Sequence, residues 1–241
     1  MATVALFVTC VADQCFPETA MATVRLLERA GARVEFPAEQ TCCGQPALTA
    51  GEPEAAARLA RHHLDVFAGY DAVVTPSGSC AAMVRHHYAR VVPDRKADVE
   101  TLSARTFELC EYLVDVLGVD DVGARLDTTV TVHDACHGLR ALGLGAATRT
   151  LLTRAGATLV EMTEADTCCG FGGVFAMRYP EVSTQLADAK LGYALATNAR
   201  YLVSGDLACL MHLDGRRAHE GGGTGPQPIH IADLLASGLP A

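Results

Sequence analysis

Short apolar runs alternate along this chain with longer stretches of helical periodicity. Residues 4–9 are nearly all apolar, as expected for a strand buried on both faces. Residues 19–30 place Ala20, Val24, Leu27 and Ala30 at helical spacing. Another short apolar run follows at 33–36. Residues 52–67, rich in Ala and Leu behind Gly51, predict a second helix. Residues 71–76 predict a strand, 80–88 the start of a helix, and 106–117 a helix stopped by Gly118. The rest of the chain follows the same course. It predicts strands at 130–133 and 201–204, an apolar run at 158–162, helices over 146–155 and 180–197, and a closing helix within 228–238. Strand alternating with helix implies parallel sheets under covering helices. The expected class is therefore α/β.

The pattern repeats in detail. Cys42-Cys43-Gly44 recurs as Cys168-Cys169-Gly170, and Cys10 recurs as Cys136, both at an offset of 126 residues. A further cysteine follows in each half, Cys80 and Cys209, at an offset of 129. The phrase Arg-Ala-Gly-Ala stands at 29–32 and again at 154–157. Chance does not readily repeat so many features in one order, so the chain reads as an internal duplication. The polar stretch 119–127 separates the halves, giving expected repeats at 1–122 and 123–241. Each is expected to be a small parallel sheet covered by helices, with its cysteine loops at the C-terminal ends of strands. Ligands of such sheets sit there, so three loops per half can bring four thiols together.

Composition narrows the partners. The chain has 241 residues, half of them apolar, enough to bury a sizeable core. Its formal charge of −9, spread without a basic arm, argues against nucleic acid. No stretch approaches the apolar length of a membrane span, and the first ten residues read as a strand rather than a signal peptide. The expectation is a cytoplasmic protein. In that compartment ten cysteines point to metal or redox chemistry rather than structural disulfides.

Four thiols suit iron–sulfur clusters or zinc over harder cations. Adjacent cysteines depart from the C-x2-4-C spacing of structural zinc sites. Side chains of neighbouring residues point apart, so a Cys-Cys pair suits two irons of one cluster. Glycine after the pair allows a turn with positive φ and a close backbone approach, with N–H groups donating to sulfur. Cys110, inside the 106–117 helix, reads as a small core residue. Cys15 lacks a repeat counterpart and reads as packing, with an extra ligand or redox-active thiol as the alternative. His133 and His137 flank Cys136, while the equivalent positions hold Phe7 and Val11. They read as packing or hydrogen-bonding near the site, with proton transfer as the alternative. Asp134 and Arg140 could bind a small carboxylate or pair with each other. The doublets His62-His63 and His86-His87 read as surface features of helices. The Gly-Phe-Gly-Gly run at 170–173 is no dinucleotide fingerprint, and 221–227 reads as a flexible loop.

The phrases LFVTC, CCGQPA, PSGSC, CCGFGG and CLM, at their positions here, resemble the lactate utilisation protein A (LutA/YkgE) family. That family carries two cysteine-rich CCG domains, of the kind also found in heterodisulfide reductase and in the iron–sulfur component of glycolate oxidase. The resemblance covers essentially the whole chain. It implies an iron–sulfur electron-transfer subunit of a multi-protein complex oxidising L-lactate to pyruvate. The implied partners are a ferredoxin-like iron–sulfur protein and a third small subunit. The implied ligands are Cys10, Cys42, Cys43 and Cys80, and Cys136, Cys168, Cys169 and Cys209. The heterodisulfide pattern ends each repeat in C-x2-C, whereas Ser77 and Asp206 stand three residues before Cys80 and Cys209 here. The missing thiol favours one four-cysteine [4Fe–4S] site per repeat, with zinc open for one of them. A cluster-dependent thiol–disulfide reductase is the alternative function, and a zinc-stabilised structural protein a third.

Overall fold

The computed structural model describes residues 3–221 and 223–240. β1 (Thr3–Leu6), β2 (Arg33–Glu35), β3 (Ala72–Thr75) and β4 (Thr106–Glu108) form one parallel sheet in the order β2-β1-β3-β4. β5 (Thr129–Val132), β6 (Thr158–Leu159), β7 (Tyr201–Ser204) and β8 (Gln227–His230) form a second in the equivalent order β6-β5-β7-β8. The fold is thus two small parallel sheets of the same topology, each covered by helices. Residues alternate between faces as the strand period demands. Val4 and Val74 enter one core, Ala5 and Val73 another.

Chain order reverses between β1 and β3, and again between β5 and β7. A sheet wound this way opens a crevice beyond the strand ends at that point. Cys10 and Cys80 follow β1 and β3; Cys136 and Cys209 follow β5 and β7. The cysteines therefore stand where topology leaves room.

The two closing segments differ from the expected helices, since each begins as a strand. Thr106 and Glu108 are buried with Phe107 between them half-buried, a period-two pattern too short to read against helical spacing. Glu108 then caps the helix Leu109–Glu111. Its Oε2 accepts from the N–H groups of Cys110 and Glu111, and the Glu111 side chain accepts from the N–H of Glu108. His230 acts likewise after β8, accepting from Ala232 N–H at the start of the helix Ile231–Ser237. The stretch 221–227 runs from the end of the helix Leu207–Gly221 into β8, with residue 222 outside the described residues.

The halves share their largest core. Leu26 and Leu27 of the helix Pro17–Arg29 join Ile231, Leu234 and Leu235 of the last helix, while Leu109 and Leu113 join Leu151 and Leu152 of the helix Gly145–Arg154. Each closing helix thus covers the other half. Thr19 Oγ1 donates to Asp233 Oδ2 at 2.7 Å across this contact. Ser77 and Asp206, repeat-equivalent positions, form an antiparallel bridge. A side chain at Gly78 would come within 3.0 Å of Gly138 Cα, so glycine permits the approach of the two halves there. Among the described residues no helix is long and apolar enough to cross a membrane.

Candidate metal centre

Local structure aims the first-half sulfurs inward. Thr9 caps the helix Cys10–Cys15 by accepting from Ala12 N–H, and Ser77 caps Gly78–Ala82 by accepting from Cys80 N–H. Between them, Cys42 and Cys43 precede Gly44, whose φ of 89° reverses the chain into the helix Gln45–Ala50. Cys10 Sγ lies 3.6 Å from Cys42 Sγ, and Cys43 Sγ lies 3.5 Å from Cys80 Sγ. The adjacent cysteines reach different loops, as their opposed side-chain directions require. These separations far exceed the S–S bond of about 2.05 Å, and all ten cysteines are free. Tyr88 donates to the Cys43 carbonyl at 2.9 Å and steadies the turn.

The second half repeats the arrangement. Gly170 has φ 93°, and Ser183 Oγ donates to its carbonyl at 2.8 Å. Cys136 stands beside Cys168, and Cys169 beside Cys168 and Cys209. Backbone N–H groups point at sulfur in both halves: Gly44 to Cys42 at 3.4 Å, Gly170 to Cys168 at 3.3 Å, and Phe171 to Cys169 at 3.5 Å.

Those donors set the charge. Thiol hydrogen bonds from Cys10 and Cys43, with the Gly44 N–H, pull Cys42 down to about 3 against the effect of burial. Cys136 and Cys169, with the Gly170 N–H, pull Cys168 down to about 2. The donating Cys10, Cys43, Cys136 and Cys169 are pushed up, first by these bonds and then by burial. Each half therefore has one sulfur that favours the thiolate beside neighbours that favour the thiol. A cation binding there displaces the remaining protons.

The two sets open onto one cavity of about 420 Å³. Cys10, Cys43 and Cys80 line it from the first half, and Cys136, Cys168, Cys169 and Cys209 from the second. The donor set is soft, N–H groups are aimed at the sulfurs, and the space exceeds what a single ion fills. The residues fit a thiolate-bound inorganic group. Among the described residues, His133, Cys169 and Cys209 form a buried group whose ligand atoms lie within 4.8 Å of one another and could hold a metal ion. The first-half sulfurs meet as two pairs.

Of the other residues, Cys110 and His137 fall as expected and several do not. His63 is no surface feature: at 2% exposure it lies against Phe7, Phe67 and Tyr88, with ring centroids 4.6, 4.4 and 5.6 Å away. The apolar face of the helix Pro53–Val66 turns it into the core. Asp134 and Arg140 do not pair: Asp134 takes both terminal nitrogens of Arg149 at 2.9 Å, and Arg140 donates to the Asp166 carbonyl at 3.2 Å. Cys15 is exposed and Cys110 lies in the shared core. His137 Nδ1 stands 3.7 Å from Cys136 Sγ, and its Nε2 meets Gln45 of the other half at 3.3 Å. Sequence reasoning missed Lys190, fully buried beside the second set, with Nζ donating to the Glu164 carbonyl at 2.5 Å. Aligning Pro53 with Pro180 as helix starts pairs Lys190 with His63, a signal that was available.

A family profile described as "CCG: Cysteine-rich domain" matches residues 4–85 and 130–214. Lactate utilization protein A of Exiguobacterium sp. is 43% identical over 247 residues, covering 99% of each chain. The protein of the same name from Geobacillus kaustophilus is 44% identical over 96% of this chain and 98% of its own. A solved glutamate racemase from Francisella tularensis aligns over 98% of this chain and 78% of its own, at 12% identity and a TM-score of 0.38. With two matched cysteine-rich domains and near full-length relatives at this identity, the chain belongs to the lactate utilization protein A family.

Proposed function

We propose that this chain is the iron–sulfur electron-transfer subunit of a multi-protein complex that oxidises L-lactate to pyruvate. The observation that carries the reading is the opening of two sulfur sets, one per half, onto a single cavity. Cys10, Cys42, Cys43 and Cys80 hold one [4Fe–4S] cluster; Cys136, Cys168, Cys169 and Cys209 hold the other, with zinc the competing occupant of one site. A bound cluster supplies a one-electron couple. The chain's own residues set its surroundings. Gly44 and Gly170 turn N–H groups onto Cys42 and Cys168, which favours the thiolate and raises the potential. Buried Cys43, Cys80, Cys169 and Cys209 limit access of water.

The chain acts only within its complex. Its partners are a ferredoxin-like iron–sulfur protein and a third small subunit, as the family relationship suggests. The repeats divide at 122/123, a reading supported by the two profile matches on either side. Ten free cysteines suit a reducing, cytoplasmic setting.

Anaerobic purification with iron and sulfide assays tests the assignment. Cys42→Ala and Cys168→Ala should each remove the iron of their own half and leave that of the other. Unchanged iron in both variants removes it. The shared cavity also suits a disulfide lying between two centres, the chemistry of a thiol–disulfide reductase. Disulfide-dependent turnover by the iron-loaded chain would favour that second reading.

A further inference from the structure

The two sulfur sets differ in where a buried imidazole stands. His133 follows β5 directly, where its repeat counterpart Phe7 follows β1. Its backbone is fixed on both sides: its N–H donates to the Val203 carbonyl at 2.8 Å, and its carbonyl accepts from Ser204 Oγ at 2.9 Å. The side chain is 1% exposed, and neither ring nitrogen has a hydrogen-bond partner. Buried polar atoms left this way are uncommon and mark a missing partner. One ring nitrogen lies within 4.8 Å of both Cys169 Sγ and Cys209 Sγ. With neither ring nitrogen engaged, the imidazole has a donor atom to offer a metal.

The first half places its imidazole differently. Phe7 carries no donor atom, and the buried histidine nearby, His63, has unpartnered ring nitrogens too but is enclosed by the rings of Phe7, Phe67 and Tyr88; among the described residues only His133 groups with two cysteines within 4.8 Å. Resting on the proposal that the second half holds a metal centre, we infer that His133 is a direct imidazole ligand of that centre, beside Cys169 and Cys209, while the first-half centre is bound by thiolates alone. The second half then has five donors where the first has four. Where the neutral imidazole takes the place of one of the four thiolates on an iron, the cluster carries less negative charge, and the second centre then has the higher potential of the two.

Pulsed electron paramagnetic resonance on the full, anaerobically iron-loaded chain reads this directly. Reduced protein grown with ¹⁵N-histidine should show a nitrogen coupling that changes with the isotope. His133→Phe, which copies the first half, should abolish that coupling, lower the potential of the second centre, and speed its loss to a chelator roughly tenfold or more. If zinc fills the second site, X-ray absorption at the zinc edge should show one nitrogen among sulfurs, lost in the same variant. A loaded second half with no histidine nitrogen signal overturns the ligand and leaves the metal reading standing. A chain that takes up no iron or zinc overturns both. The isotope experiment needs no substitution, so a variant that fails to fold does not blunt the test.

Discussion

Glu108 shows how a single side chain stores a pH dependence. It caps a helix at 2% exposure, yet its Oε1 has no partner. Burial raises its carboxyl to about 8, against the opposing pull of the Cys110 and Glu111 N–H groups. The folded chain therefore holds a proton that the unfolded chain releases near its ordinary value of 4.5. This contribution to stability is complete below that value and is lost as pH rises through about 8. Glu108→Gln keeps an oxygen for the cap and removes the titration. Its melting temperature should exceed the parent's above pH 8 by an amount worth on the order of a few kcal/mol, with little difference near pH 5. Parallel melting curves across that range would count against the account. Such residues were the hardest to read in advance. His63 and Lys190 are polar letters in helices, and only tertiary packing decides that they face inward. Asp134 was legible as an anion near the site, but its partner Arg149 comes from a helix whose orientation the sequence does not reveal.

At the scale of elements, the two Cys-Cys-Gly turns are the working parts. Gly44 and Gly170 share a left-handed backbone, but their surroundings differ. A methyl at Gly44 would meet the Ala56 carbonyl at 3.2 Å, whereas at Gly170 it would collide with the Ser183 carbonyl. Gly170→Ala should therefore cost more than Gly44→Ala, both exceeding about 1 kcal/mol from backbone strain alone. Thermal melts of the two variants give the ranking, and metal analysis should show the second half emptied first. The long helices, the inner strands and the cysteine positions beyond them were legible, because hydrophobic period and turn chemistry agree there. β4 and β8 were not. Each is only three or four residues long and runs straight into a helix. Only the Glu108 and Glu111 capping signature marks the change.

The whole molecule is held by exchange between its halves. Because the helix Ile231–Ser237 lies on Pro17–Arg29, damage to the last helix should reach the first sulfur set. Leu235, at 1% exposure, is a suitable probe. Leu235→Ala should cost about 2–5 kcal/mol and weaken metal retention in both halves together. Loss confined to the second half would show the halves to be energetically separate. The fragments 1–122 and 123–241, made singly, should each expose a core face and aggregate, yet recover when co-expressed. Two soluble, folded fragments would contradict this.

The contact between Ser77 and Asp206 carries a last consequence. Asp206 Oδ2 accepts from Ser77 Oγ at 3.4 Å and from Ser79 N–H at 3.0 Å, and both side chains are buried. In an assembly of two identical modules, a residue on the symmetry axis faces its own copy. Aspartate against aspartate would bury two like charges, and serine against serine would leave the Ser79 amide without its carboxylate. Tandem fusion removes that restriction: the seam can carry a donor on one side and an acceptor on the other. A homodimer built from either module alone could not make this bond.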